Sequence, residues 1–305
     1  MAPVPTVTGY GPDRPRLDGL SELRKGFTTK LVTRDRDGTP PEVPPRTLFN
    51  LVRYPSPAGR LAAYVTPPPK APGRHPAVLW IAGGFSNGVG NDAWAPADPA
   101  NDQSAAAFRE AGLVLMLPSF RGGNDNPGFR ENLYGEVDDA LAAADFLAKL
   151  EYVDAKRIYL GGHSTGGTMV LLVAAASDRF RAVFSFGPVA WIDSYGQDNL
   201  VFDVNDQKEV RLRSPAAVVG AIVTRTFVIE GTTMPSNTVV FPELERWRGS
   251  APVRLFRVDG ASHFSILLPV TRLLAQKIRD DRGAGIELTA AELAAAISAQ
   301  RRAAN

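Results

Sequence analysis

The chain has 305 residues, 34 Lys and Arg against 32 Asp and Glu, 44% hydrophobic residues and no Cys. That apolar fraction excludes wholesale disorder, and a formal charge of +2 without a concentrated Lys/Arg block gives no reason to expect a nucleic-acid partner. The missing Cys removes disulfide scaffolds, thiol nucleophiles and Cys-ligated metals; three His make no multi-His metal site, and no apolar run approaches the ~20 residues that span a bilayer.

Residues 1–45 are rich in Pro, Gly and charge and read as an N-terminal arm. They hold no continuous apolar stretch of the kind that makes a secretory signal. From residue 46 to 305 a single domain is expected. Leu48–Tyr54 and Arg60–Thr66, separated by Pro-Ser-Pro-Ala-Gly, predict an antiparallel hairpin. Strands follow at Pro76–Ile81, Leu113–Pro118, Arg157–Leu160, Ala182–Phe186, Thr226–Ile229 and Val253–Val258. Helical texture covers Asp102–Ala111, Leu133–Leu150, Thr168–Ala176 and Thr271–Arg279. A last helix over 290–302 opens with a capping box, Thr289 to Glu292. Short apolar strands alternating with helices predict an α/β fold: a mostly parallel sheet with helices on both faces.

The chemistry concentrates in Gly162-His163-Ser164-Thr165-Gly166. A strand enters this G-x-S-x-G pentapeptide and an Ala/Val/Leu-rich helix leaves it, which is the strand–turn–helix setting of a nucleophile elbow. The turn is tight enough that side chains at 162 and 166 would clash, so both are Gly. The Ser164 hydroxyl then stands above the sheet edge, and the Thr165 N–H is free to donate to an oxyanion. A second N–H is expected from the Gly-rich end of the Pro76 strand, from Phe85 first and Gly84 second. The Ser needs a base. His163 adjoins it, but neighbouring side chains diverge at such a turn, so it is assigned to packing. His75 precedes its strand, at the wrong end of the sheet. His263 follows the Val253 strand and emerges at the same carboxyl edge as Ser164.

Trp80-Ile81-Ala82-Gly83-Gly84, the Ser164 pentapeptide and His263, in that order, resemble the α/β-hydrolase fold, and in it the prolyl-oligopeptidase and dienelactone-hydrolase-like branch of serine hydrolases. Ser119-Phe120-Arg121-Gly122-Gly123, Tyr152-Val153-Asp154 and Arg213-Ser214-Pro215 resemble further landmarks of that branch. The similarity covers about residues 48–282. It implies an eight-stranded-type sheet. The segment from Phe186 to Thr226 is too short for a large lid.

The chain departs from the family pattern twice. Ala82 stands where a His is usual, and Met234 stands in the slot of the triad acid. The acid is expected between Ser164 and His263 in chain order. Glu230, closing the Thr226 strand at the catalytic edge, is the first choice; Asp193 and Asp259 are alternatives, and Asn237 is an uncharged substitute. Trp191 and Tyr195, with Phe202, are the expected walls of a substrate pocket.

The expected function is a carboxylesterase-like serine hydrolase using an acyl-enzyme on Ser164. It would act on a small ester or short acylated substrate, with no metal or organic cofactor. A prolyl-oligopeptidase-type serine peptidase is the alternative. A hydrolase-fold binding protein that has lost activity is the second.

Overall fold

The computed structural model describes residues 19–304; the first 18 residues of the expected arm lie outside the described residues. In chain order the elements are α1 (Leu20–Leu23), β1 (Asn50–Ser56), β2 (Gly59–Val65), β3 (His75–Ile81), α2 (Ala106–Glu110), β4 (Val114–Pro118), α3 (Gly135–Ala148) and β5 (Val153–His163). They continue with α4 (Thr165–Ala176), β6 (Val183–Phe186), α5 (Gln207–Arg211), α6 (Pro215–Val218), β7 (Thr226–Thr233), α7 (Phe241–Arg248), β8 (Val253–Ser262), α8 (Leu267–Asp280) and α9 (Ala290–Ala304).

All eight strands join one sheet in the order β1-β2-β4-β3-β5-β6-β7-β8. The β1–β2 and β2–β4 pairings are antiparallel and every later one is parallel. Alternation along β3 shows how the sheet is covered. Ala77, Leu79 and Ile81 enter a core beneath α3 and α4, while Val78 and Trp80 enter the opposite core beneath α2, α8 and α9. A strand apolar at every position is what two buried faces require. α4 is apolar all round and buried over Thr165–Ala175, whereas α8 buries Leu267, Val270, Leu274 and Ile278 and exposes Arg272 and Arg279.

Several boundaries differ from expectation for local reasons. The helix expected over 102–111 shrinks to α2, because Asp102 and Ser104 bond the chain just ahead of them and Ala105 sits at φ 51°. α3 starts two residues late, because Asn132 and Leu133 take φ 48° and 69°. β7 and β8 each run four residues past their expected ends, pairing as far as Thr233 and Ser262. α7 was not expected at all. The capping box forms as predicted: the Thr289 N–H donates to Glu292 Oε2 at 2.9 Å and the Glu292 N–H to Thr289 Oγ1 at 3.2 Å.

The segment from 19 to 49 runs across the carboxyl edge of the sheet. The Val32 N–H donates to the Val201 carbonyl, Asp37 to Gly122 and Gly38 to Asn124. Thr29 reaches the buried pair Arg213 and Glu209, and the Tyr64 hydroxyl holds the Glu42 carbonyl at 2.8 Å.

Candidate active site

β5 delivers Ser164 at φ 56°, ψ −115°, outside the regions a non-glycine residue prefers. Strain of this kind costs about 1–3 kcal/mol and persists only where the surroundings impose it. They do so here. A Cβ at position 162 would lie 2.6 Å from the Gly166 carbonyl oxygen, and one at 166 would lie 2.2 Å from the Ile81 carbonyl oxygen. The Ser164 N–H donates to the Phe186 carbonyl at 2.8 Å, pinning the elbow to the tip of β6.

His263 follows β8, and Glu230 lies on β7 inside the extended β7–β8 ladder, opposite Arg257. Glu230 is fully buried and His263 is 7% exposed. His263 Nδ1 faces both carboxylate oxygens at 3.2 Å. The Asn237 N–H donates to Glu230 Oε1 at 3.1 Å, and its side-chain amide holds the Gly187 carbonyl at 2.9 Å. Gly187 follows Phe186, and a Cβ there would lie 2.4 Å from His263 Nδ1. Ser164 and His263 therefore both abut the Phe186–Gly187 turn, on one edge of the sheet. Neither Ser164 Oγ nor His263 Nε2 is engaged in a hydrogen bond with another described residue.

The chain between β3 and α2 supplies the other wall. The Gly84 carbonyl accepts from Thr165 Oγ1 and the Phe85 carbonyl accepts from Arg130 Nη1 at 2.8 Å. The Phe85 and Thr165 amides have no acceptor among the described residues. Arg130 is itself fixed, donating its N–H to the Asp35 carbonyl and pairing Nη2 with the Asp35 carboxylate at 2.9 Å. A cavity of about 360 Å³ opens beside this loop. Gly84, Phe85, Arg130, Thr165, Met169 and Tyr195 are among the residues that line it, with Asp37 from the N-terminal segment.

The other expected residues fall as follows. Asp193 is exposed on a short turn after β6, and Asp259 is exposed and accepts from Thr232 Oγ1 at 2.8 Å, so neither alternative acid meets His263. Met234, in the usual acid slot, is 78% exposed. Tyr195 lines the cavity, edge-on to Phe85 with ring centroids 5.1 Å apart, its hydroxyl 2.9 Å from Thr168 Oγ1. Trp191 is not a cavity wall; its indole N–H turns to Glu243 on α7 at 3.3 Å. Phe202 is fully buried beneath the Arg213 guanidinium and is not among the residues that line this cavity. His75 begins β3, at the amino edge, and bonds the Ala71 carbonyl. His163 does more than pack, since both of its ring nitrogens are hydrogen-bonded.

Among the described residues, no group of three or more His, Asp or Glu is arranged to hold a metal ion, and no helix is long and apolar enough to cross a membrane.

Residues 99–233 match the prolyl oligopeptidase family. That span includes Ser164 and Glu230 and stops before His263. A dual function macrocyclase-peptidase POPB of Galerina marginata is 29% identical over 153 residues, 43% of this chain and 20% of that protein. The match thus spans less than a third of the length of the curated relatives, about a fifth of this one. Among solved structures, a Mycobacterium tuberculosis puromycin-hydrolyzing peptidase superposes with a TM-score of 0.61 at 20% identity, over 76% of this chain and 39% of that one. A Pyrobaculum calidifontis esterase superposes with a TM-score of 0.55 at 16% identity, over 77% of this chain and 86% of that one. At such identities the superpositions speak for the sheet and its helices; the sequence match carries the kinship. Over residues 99–233 the chain is similar to the prolyl oligopeptidase family, and it carries that segment on a sheet of the α/β-hydrolase kind.

Proposed function

We propose that the protein is a serine hydrolase that forms an acyl-enzyme on Ser164 and cleaves short peptide or aminoacyl amides. The observation that carries this reading is the buried Glu230–His263 pair standing at the strained elbow of Ser164. In this mechanism Ser164 Oγ attacks the carbonyl carbon while His263 Nε2 takes its proton, and Glu230 holds the Nδ1–H and offsets the imidazolium charge. The Phe85 and Thr165 amides receive the oxyanion, with Gly84 as the alternative donor. The C–N bond breaks as His263 returns the proton to the leaving amine. Water then attacks the acyl carbon as His263 takes its proton; His263 passes that proton to Ser164 Oγ as the acyl–oxygen bond breaks, and the acid leaves with Ser164 restored.

The amide preference draws on the macrocyclase-peptidase and the puromycin-hydrolyzing peptidase that the chain resembles. It takes precedence over the ester preference expected from sequence. A carboxylesterase is the second reading, favoured by the esterase whose chain is covered nearly end to end. The cavity of about 360 Å³ is proposed to hold the acyl side of either substrate. We take residues 46–305 as one hydrolase domain and residues 1–45 as an N-terminal arm, whose described part, from residue 19, contacts that domain.

Aminoacyl and N-acyl-aminoacyl p-nitroanilides, assayed beside p-nitrophenyl acetate and butyrate, test the proposal. Anilide turnover that disappears in Ser164→Ala supports it. Turnover of esters alone favours the second reading. No turnover, together with no labelling of Ser164 by an organophosphonate, would identify a hydrolase-fold binding protein.

A further inference from the structure

Ser164 follows β5 and His263 follows β8, with β6 and β7 between them. At the usual strand spacing that is about 14 Å of sheet. The base must be brought back over two strand tips and held there, and His163 makes that bridge. Its Nε2 lies 3.0 Å from the His263 carbonyl oxygen, and its ring packs against the His263 imidazole with centroids 4.4 Å apart. Phe264 closes the open side, its ring edge-on to both imidazoles.

The proton positions follow from the partners. A carbonyl oxygen only accepts, so His163 Nε2 carries a hydrogen. Burial, reinforced by repulsion from His263, pushes the His163 pKa down to about 3, so the ring is neutral and its Nδ1 is an acceptor. Gln103 must then turn its NH2 toward that nitrogen, at 2.9 Å. The second hydrogen of the same NH2 goes to Asn101 Oδ1 at 2.7 Å, and Gln103 Oε1 accepts the Gly83 N–H at 3.4 Å. The flipped amide would set two donors face to face at Gly83. The titratable group that acts on His163 is His263, with Glu230 behind it.

We infer that Gln103 and His163 are positioning residues: a one-way chain of donors runs from the Gln103 amide through the elbow imidazole to the His263 backbone, fixing the base over Ser164 and tying it to the oxyanion strand at Gly83. This rests on the roles proposed above for Ser164 and His263. The residue preceding the nucleophile thereby orients the base.

The test uses three variants, with rates expressed per Ser164 site titrated by organophosphonate so that misfolded protein is not counted. His163→Phe keeps a ring against His263 and loses the donor. Its kcat falls about 10- to 100-fold, with KM within about threefold of the parent. His163→Gln still presents an N–H, and its kcat recovers to within about tenfold of the parent. Gln103→Glu replaces the donor to Nδ1 with a carboxylate. His163 then takes up a proton, and an imidazolium beside His263 moves the acid limb of the kcat/KM profile down by about half a pH unit or more. Loosened packing would not move that limb. The inference is overturned by parental kcat in His163→Phe, by His163→Gln falling as far as His163→Phe, or by an unmoved acid limb in Gln103→Glu. Ser164→Ala is assayed alongside. If it retains activity, the proposed function fails; if it is inactive while His163→Phe is parental, only the positioning role fails.

Discussion

His263 Nδ1 stands 3.2 Å from each oxygen of the Glu230 carboxylate, a symmetric approach available because Glu230 is held inside a strand pair and capped by the Asn237 N–H. The carboxylate that meets the imidazole thus lies four residues before the exposed Met234. Glu230→Gln preserves the shape and removes the charge. Its kcat is expected to fall about 10²- to 10⁴-fold with little change in KM. Asp193→Asn and Asp259→Asn, altered at exposed sites away from the imidazole, stay within about twofold. Steady-state kinetics on the three variants checks this, and near-parental turnover in Glu230→Gln would remove Glu230 from the mechanism.

The elbow has no room for side chains. In Gly166→Ala the new methyl would meet the Ile81 carbonyl oxygen at 2.2 Å, a backbone atom that cannot swing aside. The variant should lose about 2–3 kcal/mol or more of stability, or fail to accumulate as soluble protein. Gly90→Ala is the control. Its φ is −146° and the nearest neighbour of the added Cβ is 3.4 Å away, so urea unfolding should return a midpoint close to the parent's.

Arg130 connects the N-terminal segment to the loop proposed to carry an oxyanion donor, with one nitrogen on the Phe85 carbonyl and another on Asp35. Arg130→Met keeps a stem of similar bulk without donors and frees the Phe85 peptide. A drop of about tenfold in kcat is expected, with a matching slowing of organophosphonate labelling. Asp35→Asn should cost much less, because its carboxylate is 46% exposed and exposed ion pairs contribute little. Equal losses in the two variants would argue that the arm, rather than the guanidinium, orders the loop.

The His163 ring makes stability depend on pH, with a definite sign. Folded, it stays neutral until the pH nears about 3; unfolded, it titrates near 6.5. Between those values the unfolded chain binds more protons, so stability rises with pH across the window and is lost as pH falls from about 6.5 toward 3. A shift of this size corresponds to about 4–5 kcal/mol. The stability advantage of the parent over His163→Phe should therefore shrink by about 3 kcal/mol between pH 7 and pH 4, measured by denaturant unfolding at each pH. A difference that stays constant with pH would mean that the ring is not held neutral.

The elbow can be read from the sequence because carbonyl oxygens press on positions 162 and 166, so that each glycine is compulsory wherever this turn is made. Glu230 can be read because the end of a short apolar strand fixes the sheet edge on which it falls. The sequence carries no signal for the bonds from Gln103 to His163 and from His163 to His263, which join residues 60 and 100 positions apart through groups common on any surface. Trp191 misleads for a related reason. Its indole N–H is drawn to Glu243 on α7, a helix of two turns burying only Phe241 and Leu244, too short and too charged to announce itself. The arm is partly legible: its Pro and Gly mark it as irregular, but its bonds to Gly122, Asn124 and Val201 depend on loops that exist only once the sheet has formed.

The three side chains of the proposed triad arrive in the order Ser164, Glu230, His263, after β5, on β7 and after β8. A chain that ends at β6 carries Ser164 but neither Glu230 nor His263. On this chemistry, hydrolytic competence waits for translation to pass residue 263. A nascent or prematurely ended chain would carry the nucleophile without its base, however well its earlier strands have paired.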